Sequence, residues 1–258
     1  MPAMSEHPAV DPMRAAQANM RPPLAGRFYA QAGVAPQGTG FALTLDGRSA
    51  RTPAKNPLVL STRALAELIA AEWQGQGEQI DPTSMPLTRI ANSAIDGVAS
   101  HMSAVRDEIA GYAAADLLCY RAAEPEELAN AQAAAFDPVL DWAHEALGAR
   151  FLLSEGIRHV AQPPAALAAI GAALAAIEDP FALAALHVAT TLTGSALLAL
   201  ALSRGRLAAD EAWRVAHVDE DFQISRWGED SEARARRNFQ WREIEAAGTI
   251  LAAARSRD

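Results

Sequence analysis

Residues 41–60, FALTLDGRSARTPAKNPLVL, decide the fold of the first part of this 258-residue chain. Apolar side chains alternate with small or polar ones over residues 41–45, which is the pattern of a half-buried strand. Asp46-Gly47 follows and is a strong signal for a tight turn between two strands. A second turn leads to a further apolar strand, Leu58-Val59-Leu60. The stretch therefore predicts a meander of short antiparallel strands.

A helix is predicted directly after the meander. Ser61 or Thr62 can cap its N-terminus, because a hydroxyl there accepts a hydrogen bond from a free amide of the first turn. An apolar stripe at helical spacing runs from Leu65 to Trp73, and it can cover one face of the sheet. Residues 26–90 are therefore predicted to form a small N-terminal α+β domain.

The remainder of the chain, residues 91–258, is predicted to form a larger all-α domain with at most one short strand, at residues 151–153. One of its helices is expected over residues 102–120, with Asp116 on its wetter side. The predicted fold class is thus α+β: a small antiparallel β-meander with a covering helix, followed by a C-terminal helical domain.

Two Asp-Pro pairs are typical helix starts, since aspartate caps the first turn and proline fits its first position. They predict that one helix begins at Asp137-Pro138 and another at Asp179-Pro180. Residues 1–25 are predicted to be a disordered tail, because the first 23 residues contain five prolines and no apolar run of signal-peptide length.

The composition narrows the function. A formal net charge of −9 argues against a general nucleic-acid binder, which needs a basic footprint. The single cysteine, Cys119, excludes an intrachain disulfide and fits a reducing compartment. Nothing near Cys119 indicates a lowered pKa, so it is predicted to be an inert core thiol.

Residues 181–202, FALAALHVATTLTGSALLALAL, carry no formal charge and are long enough to span a bilayer. They also contain His187, three threonines, Gly194 and Ser195, and they lack an aromatic belt. We therefore expect one buried core helix, with Ser195 allowing close helix packing, and no stable membrane insertion.

The usual catalytic signatures are missing. The sequence has no phosphate loop, no GxSxG elbow and no HExxH pair. Asp141 and His144 have the i, i+3 spacing that could present two metal ligands, but one such pair is common by chance. We expect no metal, no cofactor and no enzymatic activity.

One constellation stands out, on a helix expected to continue over residues 208–226. At 100° per residue, two tryptophans and a carboxylate fall on one face of that helix. A second apolar face lies nearly opposite. The members of the first face are Trp213, His217, Glu220, Ile224 and Trp227.

Three interpretations of this face stay open. Tryptophans around a charge resemble a binding hot spot. Alternatively both faces are buried, with Glu220 paired to an arginine of the last helix: Arg234, Arg236, Arg237 or Arg242. A catalytic carboxylate among Asp219, Glu220 and Asp221 is the third, although consecutive helix residues point about 100° apart and cannot all converge on one substrate.

The chain resembles the assembly chaperones that act on the alpha subunit of the F1-ATPase in mitochondria and some bacteria. The resemblance covers nearly the whole chain from about Arg27 and contains no catalytic motif. Its markers are Arg27-Phe28-Tyr29, Leu45-Asp46-Gly47-Arg48, Arg51-Thr52-Pro53, Ala71-Glu72-Trp73, Met85-Pro86-Leu87-Thr88, Asp116-Leu117-Leu118-Cys119-Tyr120-Arg121, Asp137-Pro138 with Asp141-Trp142, and residues 220–228.

This resemblance implies a two-domain chaperone of the bacterial cytoplasm that binds the free ATP synthase alpha subunit until the beta subunit displaces it. It implies that Glu220 is the important acid, with Asp219 or Asp221 as alternatives. Trp227 and Trp73 are expected as apolar anchors, or else as core residues. The predicted partner-binding set is Glu220, Trp227, Trp213, His217, Ile224, Asp219 and Asp221.

Overall fold

The computed structural model describes residues 24–156 and 158–255. All but the last two residues of the predicted N-terminal tail lie outside these ranges.

The first part of the chain is the predicted antiparallel meander. Its central strand pairs over six residues with the strand before it, from Ala32 opposite Leu45 to Gln37 opposite Gly40. Asp46 and Gly47, with φ of 48° and 77°, make the turn into the third strand. The strands are β1 (Ala32–Gln37), β2 (Gly40–Leu45), β3 (Arg48–Ser49) and β4 (Val59–Leu60), and β4 pairs with the free half of β2.

Helix α1 (Arg63–Gln74) covers this sheet as expected, with Thr62 accepting a hydrogen bond from the amide of Leu65. The carboxylate of Glu72 then accepts two amide hydrogen bonds of 2.8 Å from the first turn of α2 (Pro86–Asp96). Helix α2 crosses residue 90, and the apolar core continues past it into the helical part. The boundary between two domains at this position stays a prediction.

The second part of the chain is mainly helical, with one pair of two-residue parallel strands, β5 (Tyr120–Arg121) and β6 (Ser154–Glu155). Helix α6 has nine of its fourteen residues buried and packs against α2, α3, α7 and α10. The helices are α3 (Met102–Ala114), α4 (Glu126–Leu147), α5 (Pro164–Ala175), α6 (Pro180–Thr193), α7 (Ala196–Ser203), α8 (Ala209–Ala216), α9 (Val218–Trp227) and α10 (Ser231–Arg255).

The apolar segment 181–202 is buried, but it is two helices and not one. Gly194 has a φ of 65° and ends α6, and the hydroxyl of Ser195 caps α7 by accepting from the amide of Leu198 at 3.0 Å. Ser195 is therefore a capping residue and not a small packing residue. Among the described residues, no helix is both long enough and apolar enough to cross a membrane.

Asp116 explains why the break can be buried. The predicted helix 102–120 ends at Ala114, and Asp116 is fully buried instead of facing water. Its carboxylate accepts hydrogen bonds from the amides of Leu118 and Leu197, each at 3.1 Å. It thereby satisfies free amides at the start of α7, which a buried helix end requires.

The predicted helix start at Asp137-Pro138 is wrong, because α4 runs through both residues. Asp137 accepts a hydrogen bond from Arg121 at 2.6 Å and caps nothing. The predicted start at Asp179-Pro180 is confirmed, since Asp179 accepts from the amide of Phe181 at 2.9 Å.

Candidate partner-binding site

The expected continuous helix over residues 208–226 is broken at His217, whose φ of −111° and ψ of 20° separate α8 from α9. The amide of His217 and its ring Nδ1 lie 3.2 and 2.8 Å from the carbonyl oxygen of Trp213. Because a carbonyl only accepts, Nδ1 carries the proton in this hydrogen bond. The break means that Trp213 and Trp227 do not share one helix face.

Trp213 and His217 belong to the packing between α8 and α10. Trp213 is 7% exposed, and its ring lies 3.6 Å from the ring of His217, centroid to centroid. The ring of Trp241 meets Trp213 edge-on at 6.0 Å. Burial lowers the pKa of His217 from its ordinary value, so the imidazole is neutral at pH 7.

The three consecutive acids of α9 contact two different helices. Asp219 accepts a hydrogen bond of 2.7 Å from the side-chain amide of Gln132 on α4. Glu220 and Asp221 both pair with Arg237 of α10, with 3.4 Å between Glu220 Oε2 and Arg237 Nη1. The arginine partner expected for Glu220 is therefore Arg237, and α9 is held from both sides.

Gln132 carried no signal in the sequence, yet it connects three elements. It is 3% exposed, and its side-chain oxygen accepts from the amide of Ala122 at 2.7 Å, just after β5. Arg121 of β5 donates to the backbone oxygen of Gln132 at 3.3 Å. Asp219 is thus fixed to a buried and satisfied amide, which is a structural role.

Trp227, the last residue of α9, faces water. It is 79% exposed, the highest exposure of any large apolar side chain in the described ranges. Gly228 follows with a φ of 80°, and turns the chain away from the helix. Ile224, one turn earlier, is half-buried, and the neighbouring Arg226 pairs with Glu127 of α4 at 3.5 Å. Of the two tryptophans expected on this surface, only Trp227 is exposed.

Trp73 is distant in sequence from α9, near the C-terminal end of α1, and its side chain packs against the core. Its ring is 5.6 Å from that of Tyr29, and its carbonyl oxygen accepts from the Tyr29 hydroxyl at 2.6 Å. Cys119 is buried, and burial raises the pKa of its thiol to about 12, which keeps it protonated.

Among the described residues, the Asp141–His144 pair is not part of a cluster of three possible ligands. The two residues line one shallow recess with Asp137. Within residues 24–156 and 158–255, no three histidine, cysteine or acidic side chains come together as metal ligands would.

The comparisons agree with this architecture. A model of the ATP12 chaperone protein family matches residues 26–144. A candidate chaperone from Agrobacterium tumefaciens, Atu1473, is 49% identical, with a TM-score of 0.86 over 95% of this chain and 91% of its own. Atp12 from Paracoccus denitrificans is 44% identical, with a TM-score of 0.82 over 88% of this chain and 97% of its own, and a point mutant of it matches equally.

The match to each of these proteins extends over most of this chain, with 44% or more of the aligned residues identical and the same fold. The chain therefore belongs to the ATP12 chaperone family, the ATP synthase assembly chaperones that its sequence resembles.

Proposed function

We propose that this protein binds the free alpha subunit of the F1-ATPase, shields its exposed assembly surface and releases it to the beta subunit. The observation that carries the proposal is Trp227, which is 79% exposed on a helix anchored to two neighbours. The family relationship supports a role in ATP synthase assembly, and the exposed anchor supports direct contact with a client.

A free ring subunit exposes apolar surface that it later buries in the assembled ring, and such surface drives aggregation. A protein that covers it needs an apolar group that is already in place. Tryptophan is enriched among the residues that dominate binding energy. Because α9 is held by Gln132 and Arg237, little conformational freedom is lost when Trp227 docks.

The acids of α9 give the contact its electrostatic character. Three carboxylates in the first turn of a helix are favoured by the partial positive charge of its N-terminus. The Glu220 side chain remains 43% exposed beside Arg237, so it can also meet a basic group of the client. Complementary charge of this kind sets orientation and association rate more than affinity.

The complex must be temporary, because the beta subunit replaces the chaperone. An interface of standard size, about 1,600 Å² in total, allows affinities from micromolar to far tighter. A Kd near 1 μM corresponds to about −8.2 kcal/mol. We expect the affinity to lie close to that weak end.

A titration of purified alpha subunit tests the proposal, using the full chain and calorimetric detection. Trp227→Ala is expected to weaken binding at least tenfold, whereas Leu68→Ala, which truncates a 41% exposed apolar side chain on α1, is expected to stay within twofold. Addition of beta subunit should release the chaperone from the complex. No binding by the wild-type chain, or equal losses in the two variants, would refute the proposed site.

A further inference from the structure

A second exposed aromatic side chain lies near the start of the described chain, before β1, in the segment Arg27-Phe28-Tyr29. Phe28 is 71% exposed. The backbone around it is nevertheless fixed, because the Arg27 guanidinium donates hydrogen bonds to two carbonyl oxygens that follow Phe28 in the chain and to two at the C-terminal end of α1. Their residues are Tyr29 and Ala30, each at 3.0 Å, with Gln74 and Gln76.

The residues after Phe28 are anchored separately. Tyr29 donates its hydroxyl to the carbonyl oxygen of Trp73. The carboxylate of Asp46 accepts from the amides of Ala30 and Gln31, at 3.1 and 2.8 Å. The protein therefore holds an exposed phenylalanine on a rigid backbone, although packing within the described chain does not require it.

An open recess of about 590 Å³ lies beside Phe28, which is within the size range of ligand-binding sites. Phe28, Tyr29 and Trp73 contribute aromatic walls, and the charged residues of the lining are Arg48, Arg51 and Asp46. The indole nitrogen of Trp73 is buried and has no acceptor among the described residues. Aromatic surface beside two guanidinium groups fits an apolar group that carries negative charge.

The charge of this region contrasts with the rest of the protein. Residues 26–60 contain four cations and one acid, a net charge of +3, whereas the whole chain has a formal net charge of −9. The one acid, Asp46, is occupied by backbone amides. Arg51 donates one hydrogen bond to the carbonyl oxygen of Lys55, and Arg48 forms no ion pair within residues 24–156 and 158–255. The recess thus has a small excess of positive charge, from two arginines and one carboxylate that backbone amides already occupy, on an acidic protein.

We propose that this recess binds an acidic, extended segment of the client, with an apolar side chain against Phe28 and Trp73 and carboxylates against Arg48 and Arg51. The site rests on the proposed function only for the identity of the client. A nucleic acid would also offer negative charge, but the strongly negative molecule around so small a cationic patch repels a long polyanion.

Trp indole N–H signals of the full chain, recorded by NMR, provide the first test, with Trp73 assigned through Trp73→Phe. The probe is the acetylated and amidated hexapeptide EDLFED, and its control is KKLFKK. A saturable shift of the Trp73 signal with EDLFED alone, absent in Arg48→Glu/Arg51→Glu, is expected. Equal shifts with both peptides, no shift at Trp73, or a larger shift with a single-stranded oligonucleotide would overturn the proposal.

Affinity for the alpha subunit provides the second test. Arg48→Glu/Arg51→Glu is expected to weaken binding about tenfold, and Phe28→Ala about as much. The matched control, Arg206→Glu/Arg214→Glu, makes the same change in net charge at two exposed arginines elsewhere and is expected to stay within twofold. Equal losses in the two double variants would overturn the assignment of the segment to the client.

Failures of the two proposals can be distinguished. If the wild-type chain binds no alpha subunit, the proposed function is wrong, while the peptide titration still decides whether the recess takes an acidic segment. If it binds alpha subunit but Phe28→Ala and Arg48→Glu/Arg51→Glu behave like the control, the recess proposal is wrong and the proposed function stands. Because Phe28 is 71% exposed, its truncation leaves the fold intact.

Discussion

Arg237 of α10 and Glu220 of α9 form an ion pair, with 3.4 Å between Nη1 and Oε2. The Arg237 side chain is only 17% exposed, and it also pairs with Asp221. One guanidinium therefore fixes the first turn of α9 to the last helix, and through the rigid helix it sets the direction in which Trp227 is presented.

Arg237→Ala should loosen α9. We expect a loss of about 1 kcal/mol in the free energy of unfolding, because the arginine is largely buried while its acidic partners can still be hydrated. Arg214→Ala, which breaks an exposed i, i+4 pair with Asp210, should cost about 0.5 kcal/mol or less. Urea unfolding measures both variants. Equal costs would mean that Arg237 does not hold the helix.

Glu220→Ala tests the acid that the family resemblance singles out. Since Glu220 is 43% exposed, its loss should reduce the free energy of unfolding by only about 0.5–1 kcal/mol. Binding of alpha subunit should fall several-fold, mainly through slower association, as measured by stopped-flow fluorescence. If neither folding nor binding changed, Glu220 would have no part in the contact.

The two tryptophans should differ sharply in stability. Trp213 is buried between α8 and α10, so Trp213→Ala is expected to cost about 3–5 kcal/mol. Trp227 is 79% exposed, so Trp227→Ala should change stability by about 0.5 kcal/mol or less. Urea unfolding of both variants checks this. A large cost for Trp227→Ala would indicate that this side chain packs against the protein and is not free for a partner.

Asp116 should make stability depend on pH in a definite direction. Complete burial raises the pKa of its carboxyl from 3.8 to about 6. Between these values the folded protein binds more protons than the unfolded chain, so stability falls as pH rises through this window, by roughly 3 kcal/mol at most.

Asp116→Asn removes this titration while keeping a side chain of similar size. The difference in unfolding free energy, wild type minus variant, should therefore fall from pH 4.5 to about 6.5 and be flat above that. Urea unfolding at several pH values measures it. Parallel curves for the two proteins would show that Asp116 has no raised pKa.

Two glycines should respond oppositely to alanine. A Cβ at Gly40 would lie 2.5 Å from the carbonyl oxygen of Leu60, so Gly40→Ala must push β4 away from β2 and should cost about 1–3 kcal/mol. Gly111 in α3 has open space around it, so Gly111→Ala should stabilise by about 0.5–1 kcal/mol. Thermal unfolding of the two variants measures both signs, and destabilisation by Gly111→Ala would contradict the open space around Gly111.

Local patterns were sufficient for the first part of the fold. The alternation over residues 41–45, the Asp46-Gly47 turn and the Thr62 cap each act between neighbouring residues, and each is present. The break at Gly194-Ser195 was missed because its stabilising partner, Asp116, lies far away in sequence. No local pattern shows that a distant carboxylate will satisfy the first amides of α7.

The site was predictable in part. The sequence identified the acids and Trp227. The spacing of 100° per residue that placed Trp227 on one face with Trp213 holds only for a helix without a break at His217. Pro138 shows the opposite error, since the surrounding α4 tolerates a proline that resembled a helix start. Gln132 stands in an alanine-rich run, and its role depends on β5 and α9 approaching from elsewhere.

Light scattering of purified alpha subunit, diluted from denaturant with and without an equal molar amount of this protein, tests the central claim most directly. We expect the wild-type chain to suppress scattering and to form a one-to-one complex that beta subunit dissolves, and we expect Trp227→Ala to suppress it much less. Unchanged scattering with the wild-type chain, and no complex, would contradict binding of the free alpha subunit.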